Sequence, residues 1–148
     1  MEPNFSDKQY LIIDQISYRF TEADRGDVVV FRYPLDPSQF YIKRVIGLPG
    51  ERVEVDDGVI TVFNDQNKDG IVLDESYIPH TIETPGDVDY KLGDEEYFVL
   101  GDNRNASSDS RVWGALSKKY IVGKAWVRVL PVSKAEAFTA PEYPIINN

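Results

Sequence analysis

The feature that most narrows the fold is a succession of short β-branched and aromatic runs. Each is cut off by Gly, Pro or Asp-Gly before it could sustain a helix. Tyr10-Leu-Ile-Ile-Asp-Gln-Ile-Ser-Tyr-Arg-Phe20 reads as a strand after a polar, Pro-bearing lead-in over residues 1–8. The turn signal Glu22-Ala-Asp-Arg-Gly26 introduces Asp27-Val-Val-Val-Phe-Arg-Tyr33, closed by Pro34 and Pro37. Its unbroken Val28-Val-Val-Phe31 centre predicts a strand covered on both faces. Phe40-Tyr-Ile-Lys-Arg-Val-Ile46 follows and stops at Gly47-Leu-Pro-Gly50. Glu51-Arg-Val-Glu-Val55 and Val59-Ile-Thr-Val-Phe63 join through Asp56-Asp-Gly58 as a hairpin. Glu96-Tyr-Phe-Val-Leu100 and Tyr120-Ile-Val-Gly-Lys-Ala-Trp-Val-Arg-Val-Leu130 complete the set. Only Leu116-Ser-Lys-Lys-Tyr120 and Ser133-Lys-Ala-Glu-Ala137 suit helix, each about one turn long. The class is mainly β, with no internal repeat.

With 148 residues, 42% hydrophobic and 12% aromatic, the chain can bury one core but is short for two independent domains. Residues 1–148 are expected to form a single domain, with its core in 1–55 and 95–132. The charged, Gly- and Pro-bearing sequence within about 56–94 reads as an inserted ribbon or excursion outside the core. Residues 133–148, with Pro141 and Pro144, read as an irregular tail. Sixteen Lys+Arg against 25 Asp+Glu give a formal charge of -9, which opposes binding to a polyphosphate backbone, so nucleic acid is not an expected partner. The absence of cysteine excludes thiolate nucleophiles and Cys-based zinc sites, and a Ser-His-Asp triad would have only His80 to draw on. No apolar run approaches the roughly 20 residues of a spanning helix, and Met1-Glu-Pro-Asn lacks the plan of a secretion signal.

Strand alternation puts Tyr41, Lys43 and Val45 on one side and Phe40, Ile42, Arg44 and Ile46 on the other. A lysine mid-strand among apolar neighbours is either a solvated surface residue or a selected one. A functional reading needs a second segment to meet it. Gly101-Asp-Asn-Arg-Asn-Ala-Ser-Ser-Asp-Ser-Arg111, directly after a strand, is too polar to pack and rich in mutual partners. Such a loop satisfies its own backbone groups and fixes side-chain directions, either as a turn network or as a site.

Taken together, Tyr41-Ile-Lys-Arg-Val-Ile-Gly-Leu-Pro-Gly50 and Gly101-Asp-Asn-Arg-x-x-Ser-x-Asp-Ser-Arg111 resemble two signature boxes of the type I signal peptidases. Arg25-Gly-Asp-Val-Val-Val-Phe31 resembles a third, and the three occur in family order. The resemblance runs from Met1 to about Pro131. It implies antiparallel sheets around a partly open, barrel-like core with a β-ribbon insertion. It further implies a membrane-anchored serine protease that releases signal peptides with a Ser/Lys dyad on the outer face of the cell membrane, without cofactor or metal.

A lysine is a base only when neutral, and its ordinary pKa is about 10.4, so burial among apolar groups must lower it. Tyr41, Ile42 and Val45 supply such surroundings, and Asp102 and Asp109 are expected to turn from the amine toward arginines or backbone donors. By resemblance Lys43 is the general base, Ser107 carries the hydroxyl that orients it, and Asp109 pairs with Arg111. Asp102 and Arg104, after Gly101, stiffen the loop. Asn105-Ala106 stands where the family more often has Asp-Asn. The family carries Ser-Met-x-Pro-Thr near the start of the catalytic domain, whereas this sequence opens Met1-Glu-Pro-Asn4, so Met1 matches the residue after the nucleophile. As written, the chain is therefore expected to lack the nucleophile and anchor and to be inactive by this mechanism. Ser6 lies several residues too far along an extended segment to replace it.

Substrate would pair as an added strand beside the Lys43 strand, with small side chains one and three positions before the cut. Met1, Phe5, Leu11, Val30, Tyr41 and Ile42 align with the pocket walls, although Leu11 and Val30 read equally as ordinary core. Tyr10, Tyr18 and Phe20 form either a membrane-facing patch or ordinary packing. Asp65-x-Asn67-x-Asp69-Gly70 imitates a calcium loop but has Ser76 at its twelfth position, and reads as a hairpin loop. His80 reads as a surface residue, Trp113 as a packing anchor, and Ala135-Glu-Ala137 as tail. Two other functions remain open: a non-enzymatic peptide-binding module of the same fold, and a self-cleaving Ser/Lys repressor-type protease.

Overall fold

The computed structural model describes residues 11–14, 22–79, 81–128 and 136–137, with backbone alone at 11–14, 126–128 and 136–137. Its central feature is the hairpin of β2 (Val28–Tyr33) and β3 (Asp36–Gly47), preceded in the chain by β1 (Leu11–Asp14). β4 (Arg52–Asp56), β5 (Val59–Phe63), β6 (Ile71–Val72) and β7 (Val88–Lys91) follow, then β8 (Glu96–Leu100). After it come a 3-10 turn at Arg104–Ala106, a single helical turn α1 (Ser110–Trp113) and β9 (Leu116–Ser117). A second 3-10 turn at Lys118–Tyr120, β10 (Ile121–Arg128) and β11 (Glu136–Ala137) end the described chain.

The strands form two antiparallel sheets that do not close. One runs β1-β10-β2-β3-β8-β9, with β11 also on β10, and the other β6-β5-β4-β7. The mainly β, antiparallel, partly open architecture is the expected one. Val28, Val29, Val30 and Phe31 are all buried, as their unbroken apolar run requires. The β4–β5 hairpin turns at Asp57 (φ 45°) and Gly58 (φ 80°), the two positive values that the favoured two-residue hairpin turn demands.

Four expectations need correction. The Lys43 strand begins at Asp36 and passes through Pro37, where a closing turn was expected. Asp36 makes this possible by accepting from Ser38 N and Oγ and from Gln39 Nε2, beside a register shift at Arg32 and Tyr33. The excursion also contributes to the core, because Leu73, Ile78 and Leu92 are buried and Leu73 and Leu92 join Val53, Val55, Ile60 and Val62. In addition, the loop after β8 contains α1, whose first turn is capped by the Asp109 side chain. Residues 1–10, 15–21 and His80 lie outside the described residues, as does the tail apart from β11, which is a short strand on β10 where helix or irregular chain was expected.

β3 stands between two apolar clusters. Ile46 packs with Val53, Phe98 and Leu100, whereas Val45 packs with Val29, Phe31, Tyr97 and Leu116. β8 pairs with β3 only from Arg44 to Gly47, so among the described residues 36–43 have a strand neighbour on β2 alone. Gly47 lets the strands approach this closely. A Cβ there would collide with Val53 Cγ2 and stand 2.8 Å from Leu92 Cδ1 and 3.0 Å from Phe98 Cβ. Gly47→Ala should therefore destabilise the fold by about 1–3 kcal/mol. The check is a lower urea midpoint with an unchanged m-value, and an unchanged midpoint would contradict the close packing.

Candidate active site

Lys43 lies opposite Val29 of β2, on the face that carries Tyr41 and Val45 into the Phe31 cluster. Its stem is half-buried, and its amine stands 5.4 Å from the centroid of the Tyr41 ring. Burial holds the amine below the ordinary lysine pKa. Asp109 and Asp102 act against that pull, and Arg111 adds to it.

β8 delivers the loop to this amine. Its residues Tyr97, Phe98, Val99 and Leu100 are fully buried, and the chain turns at Gly101. A Cβ at Gly101 would collide with Ser107 Oγ, stand 2.6 Å from Ser107 Cβ and touch Lys43 Cδ at 3.6 Å. Gly101 thus lets the loop fold back until Ser107 and the Lys43 stem meet at one point. The Ser107 hydroxyl is buried without a hydrogen-bond partner among the described residues, so it is not bonded to Lys43 here. A buried hydroxyl in that condition is an available donor or acceptor, which is common where function demands it.

Both loop carboxylates are engaged away from the amine. Asp102, fully buried, takes a two-pronged bond from Arg44, with Nε to Oδ1 at 2.9 Å and Nη2 to Oδ2 at 2.8 Å. Arg44 Nη1 donates to Gly26 O at 2.9 Å, tying the turn before β2 to the same point. Asp109 accepts from Gly101 N at 3.1 Å and from Arg111 N at 3.3 Å. The Arg111 guanidinium meets the same carboxylate at 2.8 Å through both Nε and Nη2. Arg111 then donates to Arg104 O at 2.7 Å and Pro85 O at 3.0 Å. Ser110 Oγ accepts from Val99 N at 3.0 Å, which anchors α1 to β8.

Arg104 is almost wholly buried and reaches out of the loop into the inserted segment. Nε donates to Gly101 O at 3.2 Å, Nη1 to Thr84 Oγ1 and Glu75 Oε2 at 2.5 Å each, and Nη2 to Tyr77 Oη at 2.8 Å. Nη2 also pairs with Glu75 Oε1. Burial works against its charge, but Glu75 outweighs that and raises its pKa above the ordinary arginine value.

The structure brings Lys43, Tyr41, Gly101 and Ser107 together, with Asp102, Arg104, Asp109 and Arg111 around them. Val30 and Ile42 pair with each other and alternate onto the opposite face of the hairpin from Lys43. Met1 and Phe5 lie outside the described residues, and Leu11 is described only as a backbone partner of Arg128. Trp113 packs its ring 5.9 Å from Phe31 and 6.0 Å from Tyr33, closing the loop from behind. The calcium-like segment is the β5–β6 connection, where Asn64 Oδ1 accepts from Gln66 N and Asn67 N. Among the described residues, no group of three or more acidic or histidine side chains could hold a metal ion. A cavity of about 680 Å³ lies elsewhere, lined by Ile60, Leu73, Glu75, Ile78 and Thr84 among others, and neither Lys43 nor Ser107 borders it.

Sequence reasoning missed four polar members: Arg44, Glu75, Tyr77 and Thr84. Arg44 did have a signal, since alternation puts it on a face with Ile42 and Ile46, where a charge requires a partner. The other three had none, because their bonds to Arg104 cross 20 to 29 positions of sequence.

The fold is shared with a signal peptidase I from Enterococcus faecalis, whose crystal structure aligns with a TM-score of 0.58 and 29% identity. That alignment covers 70% of this chain and 97% of the other. A family model described as signal peptidase, peptidase S26, matches residues 1–130, and the chain belongs to that family. A probable signal peptidase I-2 of Synechocystis sp. is 40% identical over 94% of this chain and 63% of its own length. A signal peptidase I of Leptolyngbya laminosa is 38% identical over 97% of this chain and 71% of its own.

Two stability effects follow. Asp102→Ala leaves the Arg44 guanidinium buried without its carboxylate, and should cost about 3–5 kcal/mol in urea unfolding. A loss below about 1 kcal/mol would show that water replaces the carboxylate. For Lys43 the folded-state pKa lies below the unfolded value of 10.5, so folding disfavours the bound proton. That cost is fully present below the folded pKa and disappears as pH rises from there toward 10.5. Lys43→Met should therefore unfold at higher urea than the parent at pH 7, with the gap closing as pH approaches the unfolded value. A variant no more stable than the parent at neutral pH would overturn this.

Proposed function

We propose that the protein is an endopeptidase of the signal peptidase I type, with Lys43 as general base toward the family's nucleophilic serine, whose position aligns one residue before Met1. The observation that carries this reading is the Lys43 amine, desolvated beside Gly101 and Ser107, with Asp102 and Asp109 both engaged by arginines. Neutral Lys43 Nζ takes the serine hydroxyl proton as the oxygen attacks the scissile carbonyl. The resulting ammonium then protonates the departing amine, leaving an acyl-enzyme. A second cycle through Lys43 activates the water that releases the acyl group. Ser107, by accepting an N–H of the amine on its free hydroxyl oxygen, holds the amine with its lone pair toward the nucleophile.

The substrates are signal peptides of exported preproteins, extended and with small residues before the cut. The β3 edge at residues 36–43, which β8 leaves without a partner, supports docking of such a peptide as an added strand. Tyr41 walls the approach on the Lys43 face. The site works at the outer face of the cell membrane, where the family's substrates emerge. The described residues contain no helix long and apolar enough to cross a membrane.

The test uses the protein with a serine placed directly before Met1, in detergent, on a peptide with alanines one and three positions before the cut. Lys43→Ala should lower kcat by about 10²–10⁴-fold. Ser107→Ala should cost about 5-fold, the worth of one net hydrogen bond. Because burial lowers the Lys43 pKa, kcat/KM should rise with pH and level off below the ordinary lysine value. Full cleavage by Lys43→Ala would end the dyad assignment.

A further inference from the structure

We propose that Tyr77 and Glu75, on the segment between β6 and β7, are positioning residues for the Lys43 site. They hold from outside the two arginines that fix the loop at residues 101–111. The inference rests on the reading of Lys43 as base and adds to it a part of the chain that contributes no group to the chemistry.

Tyr77 touches both arginines. Its ring lies beneath the Arg44 guanidinium at 4.5 Å from the centroid. Its hydroxyl accepts from Arg104 Nη2 at 2.8 Å and donates to Glu75 Oε1 at 2.8 Å. Glu75 in turn grips Arg104 through both carboxylate oxygens. Arg44 holds Asp102, and Arg104 holds Gly101 O, the residues on which the loop folds back to bring Ser107 against the Lys43 stem. Arg111, which engages Asp109, is also seated on Arg104 O.

The segment is itself built to stay in place. Ile78 is buried and its amide donates to Glu75 O at 3.0 Å, while Asp74 Oδ1 accepts from Ser76 N at 2.9 Å. Thr84, also buried, closes the clamp on Arg104 from the far side of the segment. A ring face under a desolvated guanidinium is a directional attraction that an aliphatic side chain cannot supply. Without it Arg44 has one restraint fewer, and Asp102 is less completely neutralised.

The direction of the effect follows from what faces Lys43. From the loop these are Asp109, Asp102 and Arg111; from β2 it is apolar Val29, and on its own strand the Tyr41 ring. Asp102 raises the affinity of Lys43 for its proton. Loosening the Arg44–Asp102 pair therefore shifts Lys43 titration upward, toward ordinary lysines. A role in bulk packing alone would lower stability without moving that titration.

The experiment uses the chain as it stands. Its lysines are dimethylated with ¹³C, the Lys43 signal is assigned by its loss in Lys43→Ala, and chemical shift is followed against pH. In Tyr77→Leu the Lys43 midpoint should rise by about 0.5 unit or more, and in Tyr77→Phe, which keeps the ring over Arg44, by less than half as much. An unmoved midpoint in Tyr77→Leu, or equal shifts in both variants, overturns the proposal. A parent Lys43 that titrates with the other lysines instead defeats the reading of Lys43 as base, so the two failures are separate. Should Tyr77→Leu not fold, Glu75→Gln is read by hydrogen exchange at the Gly101 amide. Exchange about 10-fold faster than in the parent, with the β2–β3 hairpin unchanged, supports the clamp; equal protection overturns it.

Discussion

The arrangement depends on the buried pair between Arg44 and Asp102. One member stands on β3 next to Lys43 in sequence, and the other follows Gly101 at the start of the loop. For a pair this deeply buried, desolvation offsets most of the attraction, so its main effect is geometric. A planar fork meeting a carboxylate in two parallel bonds tolerates little rotation or slip. Fixing Asp102 against Arg44 therefore fixes where the loop leaves the β3–β8 ladder, and hence where Ser107 returns. The third bond of Arg44, to Gly26 O, brings in the turn before β2 and makes the three family boxes one connected unit.

That unit resolves a conflict in the site. A lysine is neutralised by desolvation, yet the polar loop beside this one brings carboxylates, which favour the ammonium form. Asp109 and Asp102 do pull in that direction, and the net result is still a lowered pKa. Each carboxylate is committed to a guanidinium at 2.8–2.9 Å, so much of its field is cancelled before it reaches the amine. The apolar side of the balance comes from β2 and β3 themselves, through Val29, Tyr41 and Val45. Changing the loop or the hairpin alone would upset the balance from opposite directions.

What could be read in the sequence was what obeys a short period. Alternation placed Lys43 with Tyr41 and Val45, and the Val28 run announced a doubly covered strand, because both depend on neighbours two residues apart. Asp56-Asp-Gly58 announced its turn because few residues accept positive φ. Pro37 misled because its usual veto on a strand does not apply where the edge is free, and Asp36 supplies side-chain bonds locally. Leu73, Ile78 and Leu92 were missed for another reason. They sit in short apolar patches of charged sequence, and only pairing among β4, β5, β6 and β7 shows where Leu73 and Leu92 go. The clamp on Arg104 was equally hidden, since a Glu, a Tyr and a Thr in a charged stretch carry no pattern until the chain returns to the loop.

The length of β3 relative to β8 explains how the same lysine can be desolvated and still approachable. β8 covers β3 from Arg44 onward, and its buried residues seal one end of the hairpin. One residue earlier that cover stops, so Lys43 has strand partners on β2, the loop beside its stem, and a backbone edge along residues 36–43 that no second strand covers among the described residues. An extended peptide laid on that edge would complete the ladder that β8 leaves off and remove the remaining water from around the amine. If Lys43 is the base proposed above, substrate docking and activation of the base would then be one event, the amine being most neutral when a peptide lies beside it.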